Sequence, residues 1–139
     1  MQKKKLNIMV IGDGAVGKTC LLQFLDTRKF NKNHIRTVGL DSIKYLYDTE
    51  DGECSLEVKL WDTAGQERFK TMTYQFYKNA DAVIIVFDLT DIETFKNITN
   101  WLQSIFKHKS QDIPKVLCGN KQDLVVVCES HNRVNSAEA

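Results

Sequence analysis

Residues 12–19 read Gly12-Asp13-Gly14-Ala15-Val16-Gly17-Lys18-Thr19 and satisfy the pattern GxxxxGK[ST]. Glycines at this spacing let successive backbone N–H groups curl round phosphate oxygens without a Cβ in the way. Lys18 adds a point charge for the β- and γ-phosphates, and the Thr19 hydroxyl can ligate Mg²⁺. The apolar run Leu6–Ile11 before the motif reads as a buried strand. Leu21, Leu22 and Leu25 after it, with Phe24 alongside, predict a helix over Lys18–Leu25. That helix aims its N-terminal dipole at the same anion. A mere glycine-rich turn between strand and helix explains this coincidence less well than a phosphate site.

Further along, Asp41–Tyr47 and Glu53–Trp61 are β-rich and flank Asp48-Thr49-Glu50-Asp51-Gly52. Asp-Gly marks a turn, which predicts an antiparallel hairpin. Ala82–Phe87 is continuously apolar, and its shortness and β-branched content favour a strand over a buried helix segment. Phe95, Ile98, Trp101, Leu102, Ile105 and Phe106 form a helical stripe that predicts one helix over Thr94–Phe106. Trp101 is assigned to packing there. Val116–Cys118 before Gly119 predicts a last buried strand. This alternation is that of an α/β fold with a largely parallel sheet covered on both faces.

Composition narrows the function classes. The 139 residues suit one domain, 42% are hydrophobic and 27% charged, as in ordinary globular chains. Nineteen Lys+Arg against eighteen Asp+Glu leave a net charge of +1, which argues against general nucleic-acid binding. No run approaches the length of a membrane helix, and the run after Lys3-Lys4-Lys5 is too short for a signal peptide. The lysines read as a solvated start. Cys20, Cys54, Cys118 and Cys128 are scattered without zinc spacing. Three of them lie in or beside apolar segments and read as reduced core thiols, so the expected compartment is cytoplasmic.

Two further motifs follow predicted strands. Asp62-Thr63-Ala64-Gly65-Gln66 comes directly after Lys59-Leu60-Trp61. A carboxylate at a strand end beside a phosphate loop suits a metal contact, Gly65 offers an N–H to a terminal phosphate, and Gln66 can orient an attacking water. An ordinary turn is the competing explanation, weakened by the neighbouring loop. Asn120-Lys121-Gln122-Asp123 comes after Val116–Cys118. A carboxylate at Asp123 can accept both N1–H and the 2-amino group of guanine, a donor pair that adenine lacks. Alone the tetrapeptide suits any solvated loop; its order after two phosphate motifs makes it specific.

With GDGAVGKT, KLWDTAGQERFKTMT, FYKNADAVIIVFDLT, NITNWLQSI and GNKQDL, the sequence resembles the small GTPases over nearly its whole length, most closely the Rab branch of the Ras superfamily. The resemblance implies a three-layer P-loop NTPase fold with strand order 2-3-1-4-5 and residues 1–139 as one G domain. It implies GTP/GDP and Mg²⁺ as ligands, with Gly14, Ala15, Val16, Gly17, Lys18, Thr19 and Cys20 at the phosphates. Phe30 is implied at the guanine edge, and Thr37 at Mg²⁺ and the γ-phosphate. Asp62 would contact Mg²⁺ through water, Gly65 would sense the γ-phosphate, and Gln66 would be catalytic. Asn120, Lys121 and Asp123 would form the base site. The implied activity is slow GTP hydrolysis in a switch for vesicle traffic, with effectors, exchange factors and activating proteins meeting the switch surface.

Three departures from the family pattern bear on that expectation. Ser42 replaces the aromatic of an effector-binding triad whose other members match Trp61 and Phe76. A lost aromatic anchor is worth about 2 kcal/mol of binding. Arg36 precedes Thr37, where a cis arginine finger is conceivable. The one-residue offset favours a solvent-facing side chain. The sequence stops at Ala139, so the expected fold lacks the family's last strand and helix, and the expected chain has no lipid anchor. A longer, lipidated form would sit on the cytosolic face of endomembranes. Two other readings compete: a P-loop kinase or ATPase, and a truncated, non-cycling interaction module that binds nucleotide poorly.

Overall fold

The computed structural model describes residues 2–27, 41–63, 77–108, 112–127 and 133–134. The elements run β1 (Gln2–Ile11), α1 (Lys18–Thr27), β2 (Asp41–Asp48), β3 (Cys54–Asp62), β4 (Ala82–Asp88), α2 (Ile92–Lys96), α3 (Ile98–His108) and β5 (Lys115–Asn120), followed by a 3-10 segment, Gln122–Val127. The five strands form one sheet in the order β2-β3-β1-β4-β5. β1 pairs in parallel with β3 and β4, β4 pairs in parallel with β5, and β2 pairs antiparallel with β3. This is the expected topology. It sets β1, and the loop that leaves it, in the middle of the sheet.

Side-chain alternation along β1 divides the core between two faces. Met9 and Ile11 point to one side and join Tyr77, Val83, Ile85, Phe87, Ile98 and Ile105. Val10 points to the other and joins Val16, Leu22, Leu60 and Val86, with Leu21 and Leu25 of α1 packed against them. A period of two on a strand buried from both sides produces this split. The β2–β3 hairpin closes on Thr49, whose hydroxyl donates to the Cys54 carbonyl, and on Gly52, whose N–H donates to the Thr49 carbonyl.

The structure corrects five local expectations. The strand at Val116–Cys118 forms but is not buried, with Val116 59% and Leu117 44% exposed. β1 starts at Gln2 rather than Leu6: Lys3, Lys4 and Lys5 pair with Ser55, Leu56 and Glu57 while their side chains stay exposed. Ladder hydrogen bonds come from the backbone, so a solvated stretch can extend a strand without an apolar pattern. The single helix expected over Thr94–Phe106 is two helices broken at Asn97. The first starts earlier because the Asp91 side chain accepts from the Glu93 N–H and caps it. Phe106 ends the stripe 41% exposed. Finally, Cys20, Cys54 and Cys118 are only half-buried, and of the three Cys118 packs against a core cluster.

Ile105, at 0% exposure, is the deepest contact of α3 with the sheet. Ile105→Ala is expected to cost about 2–5 kcal/mol. A urea titration should show a lower midpoint with an unchanged slope.

Candidate functional site

Leaving β1, the chain turns at Gly12 with φ +145°, where a Cβ would lie 2.2 Å from the Val86 carbonyl oxygen. Gly17 repeats the constraint at the other end: φ is +100°, and a Cβ would lie 2.3 Å from the Asn120 amide nitrogen. Side chains are therefore excluded at both ends of the loop. Between them Ala15 takes a left-handed φ of +62°. Val16 inserts fully into the core on the α1 side. The Leu21 N–H donates to the Gly17 carbonyl and starts α1. Lys18, 3% exposed, turns its ammonium back to donate to the carbonyls of Gly12 and Asp13. The loop is thus a turned backbone with a cation set inside it, the arrangement an anionic phosphate fits.

Two residues of the expected metal set, Thr19 and Asp62, meet. The Thr19 hydroxyl donates to Asp62 Oδ2 at 2.6 Å, and both residues are buried. Thr63 Oγ1 donates to the Val10 carbonyl at 2.6 Å and ties the end of β3 to β1 beside the loop. A hydroxyl and a carboxylate are hard oxygen donors, a set that fits Mg²⁺ completing its shell with phosphate oxygens and water. Cys20, half-buried, follows in the first turn of α1.

The end of β5 reaches the same loop. Asn120 Nδ2 donates to the Val16 carbonyl at 2.9 Å, and Lys121 Nζ donates to the Ala15 carbonyl at 2.7 Å. Lys121 has a left-handed φ of +66°, unusual for a residue with a side chain. Asp123 is exposed at the start of the 3-10 segment. Phe30, Arg36, Thr37, Gly65, Gln66 and Phe76 lie outside the described residues. On the hairpin, Ser42 faces Trp61 directly across the ladder. The Trp61 indole N–H donates to Asn7 Oδ1 at 3.1 Å, and the Lys59 ammonium lies 4.1 Å from its ring centroid.

Sequence reasoning missed two acidic groups here. Asp88, at the end of β4, accepts from the Thr90 amide and hydroxyl, and its Oδ2 lies 2.9 Å from Lys121 Nζ. Its signal was its place at the end of an apolar strand, the position that marked Asp62. Asp13 accepts from Asn97 Nδ2 at 2.6 Å and from the Trp101 indole N–H at 2.9 Å. Trp101 packs against the core as expected and, beyond that, donates to the phosphate loop. No local pattern could join residues this far apart in the chain.

Comparison with known proteins agrees with this geometry. The Ras family model matches residues 7–139. The chain is 41% identical over 132 residues, 95% of its length, to the Ras-related protein RIC1 of Oryza sativa subsp. japonica and to the Ras-related protein Rab-13 of Canis lupus familiaris. It is 42% identical over 117 residues, 84% of its length, to the Ras-related protein RABD2a of Arabidopsis thaliana. The chain spans 62%, 62% and 57% of these relatives' own lengths.

The Asp88 carboxyl is drawn up by burial, but the Thr90 hydroxyl, Lys121 and the Thr90 amide outweigh that and hold it below its ordinary value of 3.8. A depressed carboxyl stabilises the folded chain fully above that ordinary value, and the contribution fades as pH falls through the folded-state value. Asp88→Asn is expected to cost about 1.5–3 kcal/mol at neutral pH, the worth of a hydrogen bond to a charged group. Melting curves of the two proteins should converge as the pH is taken below 3.8.

Proposed function

The chain belongs to the Ras family, and from that premise we propose that it is a guanine-nucleotide switch of the Rab type. The observation that carries the reading is the strap from β5 to the phosphate loop. Asn120 and Lys121 bond the Val16 and Ala15 carbonyls. A base-reading segment is thereby locked to the phosphate-gripping one. A P-loop kinase or ATPase has no need of that connection.

In this reading the loop amides of Gly14–Thr19 and the Lys18 ammonium bind the β- and γ-phosphates, with Cys20 at the edge of the set. Thr19, Thr37 and Asp62 would hold a Mg²⁺ ion, which would offset the phosphate charge. Phe30 lies against the guanine edge, and Asp123 accepts its two donors. Gly65 reports the γ-phosphate and Gln66 orients the attacking water. GTP keeps the two switch segments ordered and hydrolysis releases them. Hydrolysis is slow until a partner supplies an arginine, a factor of about 10³–10⁵.

The Rab likeness points to vesicle traffic at the cytosolic face of endomembranes. No helix among the described residues is long and apolar enough to cross a membrane. Effectors and regulators read the switch surface around Ser42, Trp61 and Phe76. With Ser42 opposite Trp61, the partner set differs from that of a Rab bearing an aromatic there.

The direct test is the nucleotide retained after purification in Mg²⁺, together with competition of GDP against ADP. Retained guanine nucleotide and GDP preference are expected. An empty protein would favour a non-cycling interaction module, and ADP preference a kinase or ATPase.

Asp123→Asn should move base preference from guanine toward xanthine, because an amide donor suits a 2-oxo group where a carboxylate suits a 2-amino group. The expected loss for GTP is about 1.5–3 kcal/mol. Equal weakening of GTP and XTP would remove Asp123 from the base site.

Gln66→Leu should slow single-turnover GTP hydrolysis by about tenfold or more, the worth of one hydrogen bond made in the transition state. GTP affinity should stay near wild type. Parallel collapse of binding would show that Gln66 is not confined to the chemical step.

A further inference from the structure

Asp13 belongs to the phosphate loop, yet its carboxylate is committed to the helix layer. Oδ2 accepts from Asn97 Nδ2 at 2.6 Å and Oδ1 from Trp101 Nε1 at 2.9 Å. The two donors stand four residues apart, one helical turn, so they face the carboxylate together. Asn97 is also the break between α2 and α3. Its N–H donates to the Glu93 carbonyl, and its own carbonyl accepts from Asn100 and Trp101. The main chain of Asp13 does a second job, because its carbonyl accepts from Lys18 Nζ at 2.7 Å. A continuous path therefore runs from the α2–α3 junction, through one residue, to the cation inside the loop.

Other elements meet the rest of the loop: Gly12 lies close against β4, while Asn120 at the end of β5 and Lys121 just after it bond the Val16 and Ala15 carbonyls. Asp13 is where the helix layer holds it. Two charge-assisted hydrogen bonds on one carboxylate restrict both its side chain and the adjoining peptide. A loop kept in its binding shape grips a ligand without a further ordering cost. Trp101 also packs against the core cluster that contains Met9 and Ile98. Phenylalanine could supply most of that packing but not the N–H.

We propose that Asp13 is a positioning residue: Asn97 and Trp101 hold its carboxylate so that the carbonyls of Gly12 and Asp13 seat Lys18. The α2–α3 junction thereby sets how tightly the loop keeps nucleotide phosphates, and movement of that junction speeds nucleotide release. The inference rests on the guanine-switch reading and adds to it a control point away from the switch segments.

The test uses the full chain, loaded with a fluorescent GDP analogue and chased with GDP. Trp101→Phe and Asp13→Ala are each expected to raise the dissociation rate about tenfold, the worth of one such hydrogen bond. The double variant should be no faster than Asp13→Ala, since both changes break one link. The ratio of GDP to XDP affinity should stay at its wild-type value, because Asp123 is untouched. If Trp101→Phe does not fold, Asp13→Ala carries the test alone, as it removes both acceptors and leaves the indole in place. The Trp101 indole N–H resonance should move on GDP binding in the wild type, and not in Asp13→Ala. Lower melting temperatures with wild-type dissociation rates would reduce the contact to a structural tie and overturn the proposal. Rates that multiply in the double variant would overturn it too. A wild-type chain that binds no GDP overturns the guanine-switch reading and this inference together. GDP binding with an unchanged rate in Trp101→Phe overturns this inference alone.

Discussion

The close approach of Gly12 to the Val86 carbonyl governs how everything else at the site is arranged. With room for no Cβ there, the backbone leaves β1 and bends across the end of β4 instead of continuing upward. The bend brings the Gly12 and Asp13 carbonyls inward, where they receive the Lys18 ammonium. It also sets Val16 in the core as a plug and delivers Thr19 to the first turn of α1 beside Asp62. Each later contact assumes that first turn of the chain.

Sheet order then does the assembling. β1 lies between β3 and β4, with β5 beyond β4. All four run parallel, so their carboxyl ends lie at one edge of the sheet, and Asp62, Asp88 and Asn120 surround the loop that leaves β1. This is the crevice in which open α/β sheets bind ligands. The strap from Asn120 and Lys121 and the ion pair of Lys121 with Asp88 turn that proximity into a single rigid set. Lys121 keeps a left-handed backbone angle within it. Strain of that kind persists where surrounding bonds over-determine a residue, and it clusters at functional sites.

The hairpin shows the same dependence on pairing rather than on side-chain pattern. Three successive lysines extend β1 because the β3 backbone continues beside them. Their side chains remain in water. At the far end of the hairpin, Trp61 is fixed at its edge by Asn7 and on its face by Lys59. The tryptophan that resembles an effector contact is therefore already oriented by its own sheet, although its expected aromatic neighbour is a serine.

The sequence alone determined the phosphate loop, the strand-end position of Asp62 and the Asn120–Asp123 segment. Each of these is written in contiguous residues: a motif of eight positions, a strand end, a tetrapeptide. Local backbone chemistry and short-range periodicity suffice to read them. The break at Asn97, the role of Trp101 and the use of Asp13 and Asp88 were decided only by the tertiary structure. Asn97 sits on an unbroken apolar stripe, and its amide meets Asp13 84 residues away. Asp88 likewise finds Lys121 only because β4 and β5 lie side by side. Periodicity records which face of an element is buried. It does not record which polar group on another element waits there, because that meeting depends on sheet order and register, which no single segment contains.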